Sequence, residues 1–167
     1  MAGEGAVSVK PGVRPRLSQR YAASLILLVM SCSQLPPTSS AVIPPIPAGG
    51  ARIWVYRNDG PYDSQARPYL RLNGQVIGIA EPNGAVYRNL PPGRYTISVD
   101  SYGTPYPNQF AQVDLGPGQQ AFIKVSSMRE KVGGEAGVGT RAVFFTGLFP
   151  PDAAREAIAS TPFYGGS

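Results

Sequence analysis

The chain has 167 residues and a formal charge of +5. With 43% hydrophobic and 15% charged residues it is too apolar for a disordered polypeptide and long enough for one core. It has no histidine and a single cysteine, Cys32, which removes Ser-His-Asp triads, Cys-His dyads, ordinary zinc sites and internal disulfides. The positive charge is no nucleic-acid footprint. Lys10, Arg14, Arg16 and Arg20 against Glu4 supply +3 before residue 32, and the 11 basic and 9 acidic residues beyond leave +2 with no basic run to track a phosphate backbone.

Residues 1–31 have the layout of a secretory signal: a basic stretch, then the apolar run from Tyr21 to Met30, too short for a spanning helix. Val29-Met30-Ser31-Cys32 resembles a bacterial lipobox. That resemblance implies that Cys32 becomes the first mature residue and carries a diacylglycerol on Sγ and a third acyl chain on its amine. Buried acyl methylenes contribute about 0.8 kcal/mol each, so three chains make a stable anchor. Ser33 after the cysteine implies sorting to the outer membrane of a double-membrane bacterium. Residues 32–50, rich in Pro and Ser without a strand or helix period, then read as an extended tether.

Residues 51–127 carry the expected β-sandwich core. Residues 51 to 57 form a first strand apolar on both faces, Ile53 and Val55 on one and Trp54 and Tyr56 on the other, which suits the middle of a sheet. Trp54 is a packing residue or a ligand platform. The polar loop 58–68 holds Asp59 and Asp63, which with Glu81 are the acids a carboxylate-based hydrolase would use. Their spacing supplies no calcium site, and Asx-turn duty is the plainer role of the two aspartates. Asn73-Gly74 predicts a tight hairpin of the primed type. Pro82-Asn83-Gly84 and Pro91-Pro92-Gly93 mark further turns, and beyond them Tyr95, Ile97 and Val99 alternate with Thr96, Ser98 and Asp100.

Tyr102 and Tyr106 lie among turn residues, either as an exposed contact surface or folded back as a lid over a sheet edge. A hairpin around Gly116-Pro117-Gly118 is expected, with Ala111, Val113, Leu115, Ala121, Ile123 and Val125 inward. The glycines of residues 128–140 lack a phosphate-loop signature and read as a flexible connection. Residues 141–167 supply a seventh strand and a short helix near 151–159, with Pro151 at its start and Ala154, Ala157 and Ile158 on one stripe. The expected fold is all-β: an Ig-like or transthyretin-like sandwich of about seven strands with a short C-terminal helix.

The lipobox, the hairpin at 72 to 78 and Leu90-Pro-Pro-Gly-Arg-Tyr95 together resemble a group of bacterial lipoproteins whose shared domain has no assigned function. The second half of the core is similar to PEGA-type surface modules. The resemblance implies a display domain without catalytic residues, cofactor or metal, anchored to the membrane through Cys32. Its partner would be an envelope protein or a glycan, with Trp54, Tyr102 and Tyr106 as candidate contacts. A carbohydrate- or peptidoglycan-binding module is the alternative.

Overall fold

Alternation of apolar and polar residues builds two sheets. The computed structural model describes residues 34–60, 63–102, 106–107, 109–134 and 137–167. Cys32 and the signal-like run lie outside the described residues. Among the described residues the strands are β1 (Ala51–Arg57), β2 (Tyr69–Leu72), β3 (Gln75–Ile79), β4 (Gly84–Leu90), β5 (Gly93–Val99), β6 (Phe110–Leu115), β7 (Gln120–Gly134), β8 (Gly137–Leu148) and β9 (Phe163–Gly166), with one α-helix, α1 (Pro151–Ser160), before β9. A five-stranded sheet runs β8-β7-β1-β4-β9 and a four-stranded sheet runs β3-β2-β5-β6.

β1 is central, antiparallel to β4 and parallel to β7. Its alternation explains the layers. Ala51, Ile53 and Val55 meet Leu70, Ile97, Val99, Ala111, Ile123 and Phe144 in one core shared by both sheets. Trp54 and Tyr56 point the other way and join Tyr87, Phe122, Ala154 and Ile158 in a second apolar layer on the outer face. Both faces of β1 are therefore buried, as its composition predicts. Helix α1 begins with proline at its first turn, where a missing N–H costs nothing, and ends at Thr161 before Pro162. It docks through Ala154 and Ile158. Full burial of a side chain such as Ile158 stabilises by about 1.5–3 kcal/mol at most.

The hairpin turn behaves as its sequence demands: Asn73 and Gly74 have φ of 48° and 82°, and β2 pairs with β3 across them. Four expectations are revised. Gly116-Pro117-Gly118 does not close a hairpin, because β6 pairs with β5 while β7 pairs with β1 and β8. Turn residues specify a reversal of direction and not which sheet receives the next strand.

The glycine-rich stretch 128–140 is ladder over most of its length. β7 and β8 pair continuously from Ile123↔Leu148 to Gly134↔Gly137. Ladder hydrogen bonds use only backbone groups, which glycine supplies as well as any residue.

The expected tether is docked from Pro36 onward. Thr38 N–H donates to Thr161 O at 2.8 Å, Phe163 N–H to Pro36 O at 3.1 Å, and Ile43 packs on the outer apolar layer. A segment with no period of its own has been ordered by the surface it lies on. Finally, the described residues hold nine strands where about seven were expected, and β9 is one of those added. It is a short strand parallel to β4, and its Phe163-Tyr164-Gly165-Gly166 carries too little alternation to be recognised.

Candidate functional site

The outer face of the five-stranded sheet holds a groove. Residues of β1 alternate, so Arg52 stands on the same face as Trp54, and the β7 register sets Gln120 beside Arg52 and Phe122 beside Trp54. Ile158, Ala159 and Arg155 of α1 form one wall, and Thr38, Ser39 and Ile43 of the docked N-terminal segment form the other. The open hollow between them measures about 360 Å³, within the range of small-ligand pockets.

The floor is held rigid. Trp54 Nε1–H donates to Gln120 Oε1 at 3.1 Å, its ring centroid lies 5.1 Å from that of Tyr87, and Tyr87 stacks on Phe163 at 5.8 Å. Arg52, only 3% exposed, donates from Nε to Asn89 Oδ1 at 2.8 Å and from Nη2 to Pro44 O at 2.9 Å, with its guanidinium 4.2 Å from the Tyr87 ring centroid. Arg52 makes no ion pair among the described residues. At the rim, the guanidinium of Arg155 lies 5.2 Å from the Phe122 ring centroid and pairs with Asp152 at 3.0 Å. Both cations thus border an apolar hollow.

The residues expected to make contacts are distributed differently. Trp54 is 7% exposed and belongs to the groove floor, so it offers no open stacking face. Tyr102 is 54% and Tyr106 38% exposed. Tyr102 N–H donates to Ala142 O, Thr146 N–H to Gln109 O and Gln109 Nε2 to Phe144 O, so Tyr102 and Gln109 lie against the open edge of β8. The two rings sit against Phe144 and Phe145 with part of each facing solvent. Tyr106 Oη donates to Glu130 Oε1 at 3.0 Å. That bond to the carboxylate, more than burial or the nearby charge itself, raises the phenol above its ordinary value.

Asp59, Asp63 and Glu81 gather around Arg57, which is 1% exposed at the end of β1. Burial lowers the Arg57 value, and the charges of Asp63, Asp59 and Glu81 oppose that shift in that order. The guanidinium donates to Ala66 O at 2.8 Å, to Ala80 O at 3.2 Å and to Ser64 O, and lies 5.0 Å from the Phe144 ring centroid. The acids have structural partners of their own: Gln65 for Asp59, Ser127 for Asp63 and Arg67 for Glu81. This cluster pins the 58–68 loop to the core. Among the described residues no group of three or more acidic or cysteine side chains is placed to hold a metal ion.

Arg52, Gln120, Phe122 and Arg155 were not singled out by sequence. The one available signal was Arg52 itself, a charge in phase with Trp54 on a strand otherwise apolar on that face. The fold and groove define the class of protein: a mostly β, two-sheet domain carrying a helix-walled groove on its outer face. Comparison with protein-family models, with curated proteins and with solved structures returns no match for the chain.

Proposed function

We propose that this protein is a non-enzymatic lipoprotein of a bacterial cell envelope, anchored through acyl chains on Cys32. In this reading an Ig-like or transthyretin-like sandwich of the kind found in the resembling lipoproteins serves as a binding domain on the periplasmic face of the outer membrane. The groove beside Trp54 carries the binding half of the reading: a concave apolar hollow with a few fixed polar groups is the usual form of a ligand site. The docking of Pro37 against Pro162 adds a geometric consequence. From residue 32 to residue 37 an extended chain spans at most about 18 Å, so lipidation at Cys32 would hold the domain close to the bilayer rather than tens of ångströms away.

The test is the intact mass of the mature protein purified from membranes, beside a Cys32→Ala version. A chain that begins at Cys32 with acyl mass added, and a variant left unprocessed or released, are expected. A native chain that keeps residues 1–31 without lipid overturns the anchoring. A glycan-stacking role draws on Tyr102 and Tyr106, since Trp54 is covered. A protein partner that adds a strand to β3 is a second reading, favoured by the exposed Val76 and Ile79 on that edge and Tyr69 beside it. Val76→Lys should abolish such binding, and an unchanged interaction would remove β3 from it.

A further inference from the structure

We infer that the groove takes an anionic amphiphile: a single carboxylate or phosphate on an apolar body the size of a medium acyl chain or one ring system. This rests on the groove being a ligand site, and it goes further by naming the ligand.

Among the described residues two arginines are buried, Arg52 and Arg57. Arg57 is surrounded by the charges of Asp59, Asp63 and Glu81, which offset the cost of its burial. Arg52 is as deeply buried; like Arg57 it makes no ion pair among the described residues, and it donates to neutral acceptors on Asn89 and Pro44. A buried cation without a carboxylate is costly, and this one lies in the wall of a hollow of about 360 Å³. A ligand anion placed there would meet a guanidinium already desolvated and held in place, where charge-assisted hydrogen bonds are strong and no side chain has to be ordered first.

Arg155 adds a second cation at the mouth. Its partner Asp152 is fully exposed and lies one helical turn away, an arrangement that contributes little and leaves the guanidinium able to turn toward the groove. Trp54, Phe122, Ile43 and Ile158 supply the apolar surface. Among the described residues no acidic side chain lines the groove to repel an anion.

Trp54 is the only tryptophan in the chain, so its emission reports occupancy directly. Full-length protein in a non-ionic detergent would be titrated with decanoate, decyl phosphate and neutral decanol, all below their micellar range. Saturable changes in Trp54 emission are expected for both anions, and decanol should bind at least about tenfold more weakly, the worth of one charge-assisted contact. Ala159→Phe, which fills the groove from the helix side, should abolish the response while the thermal transition stays within a few degrees of the native one. Arg155→Gln should weaken the anions several-fold and leave decanol unchanged. Equal binding of decanol and decanoate would overturn the anionic class while leaving the groove as an apolar site. No saturable response to any of the three, or a response that survives Ala159→Phe, would overturn the groove as a ligand site altogether. Neither result bears on the mass measurement at Cys32.

Discussion

Arg57→Met is the substitution that most directly tests how the core and the 58–68 loop are joined. Methionine keeps much of the aliphatic volume but removes the guanidinium, leaving the carbonyls of Ser64, Ala66 and Ala80 without their charged donor. Hydrogen bonds from a charged donor contribute about 1.5–3 kcal/mol each, a gross loss of about 5–9 kcal/mol for three. Returning the guanidinium to water recovers several kcal/mol. The balance is a net destabilisation of about 3–5 kcal/mol, the range found when one member of a buried polar assembly is removed, and a fall in Tm of about 10–20 °C for a domain of this size. Arg57→Lys should lose nearly as much, because one ammonium cannot reproduce a planar fork reaching three carbonyls. Urea unfolding followed by Trp54 emission measures the change, and limited proteolysis at Arg67 reports whether the loop has come free. A stability within about 1 kcal/mol of the native protein for Arg57→Met would refute the assignment of Arg57 as the clamp.

Three further outcomes are expected. The Tyr56 hydroxyl is buried with no hydrogen-bond partner among the described residues, and burial raises it above its ordinary value of 10.0. The stability gained from the neutral form is complete below that value and lost as pH rises through the higher folded one, so Tyr56→Phe should be neutral or stabilising by about 1 kcal/mol and should move alkaline unfolding upward. A urea midpoint below the native one would count against this. A Cβ at Gly166 would overlap the Tyr87 ring, so Gly166→Ala should detach β9 and red-shift Trp54, whose neighbours Tyr87 and Phe163 would lose their packing; unchanged emission would contradict that geometry. The Arg94 hydrogen bond holds the exposed Asp114 carboxyl below the ordinary carboxylate value of 3.8. Its contribution is present above that value and lost as pH falls through the lowered one, and a carboxyl NMR titration of Arg94→Gln should show Asp114 returning toward 3.8.

Much of the architecture is written in local chemistry. The φ > 0 requirement met by Asn73-Gly74 is a property of two residues, and the period-2 series of β1, β5, β6 and β7 names its own buried face, because side chains on a strand must alternate whatever the strand pairs with. Pro151 and the alanines behind it set the helix in the same way. The two apolar faces of β1 even announced that something must cover the outer side of its sheet.

What covers it was decided elsewhere. Nothing in residues 34–50 distinguishes a free tether from a docked one, since its contacts are a few backbone bonds and Ile43 against a surface assembled from β1, β4, β7 and α1. The choice of sheet at Gly116-Pro117-Gly118 and the extension of β7 and β8 through the glycines depend on which backbone edges meet, and edges carry no side-chain code. The groove is the clearest case. Arg52, Gln120, Ile158 and Ser39 come from four separate segments, and only the parallel pairing of β1 with β7 under α1 makes one surface of them. Sequence determined which residues are buried and where the chain turns, because those depend on neighbours a few residues away. Only tertiary packing decided that a buried arginine with no ion pair among the described residues would face a hollow, because that depends on which segments meet at the groove.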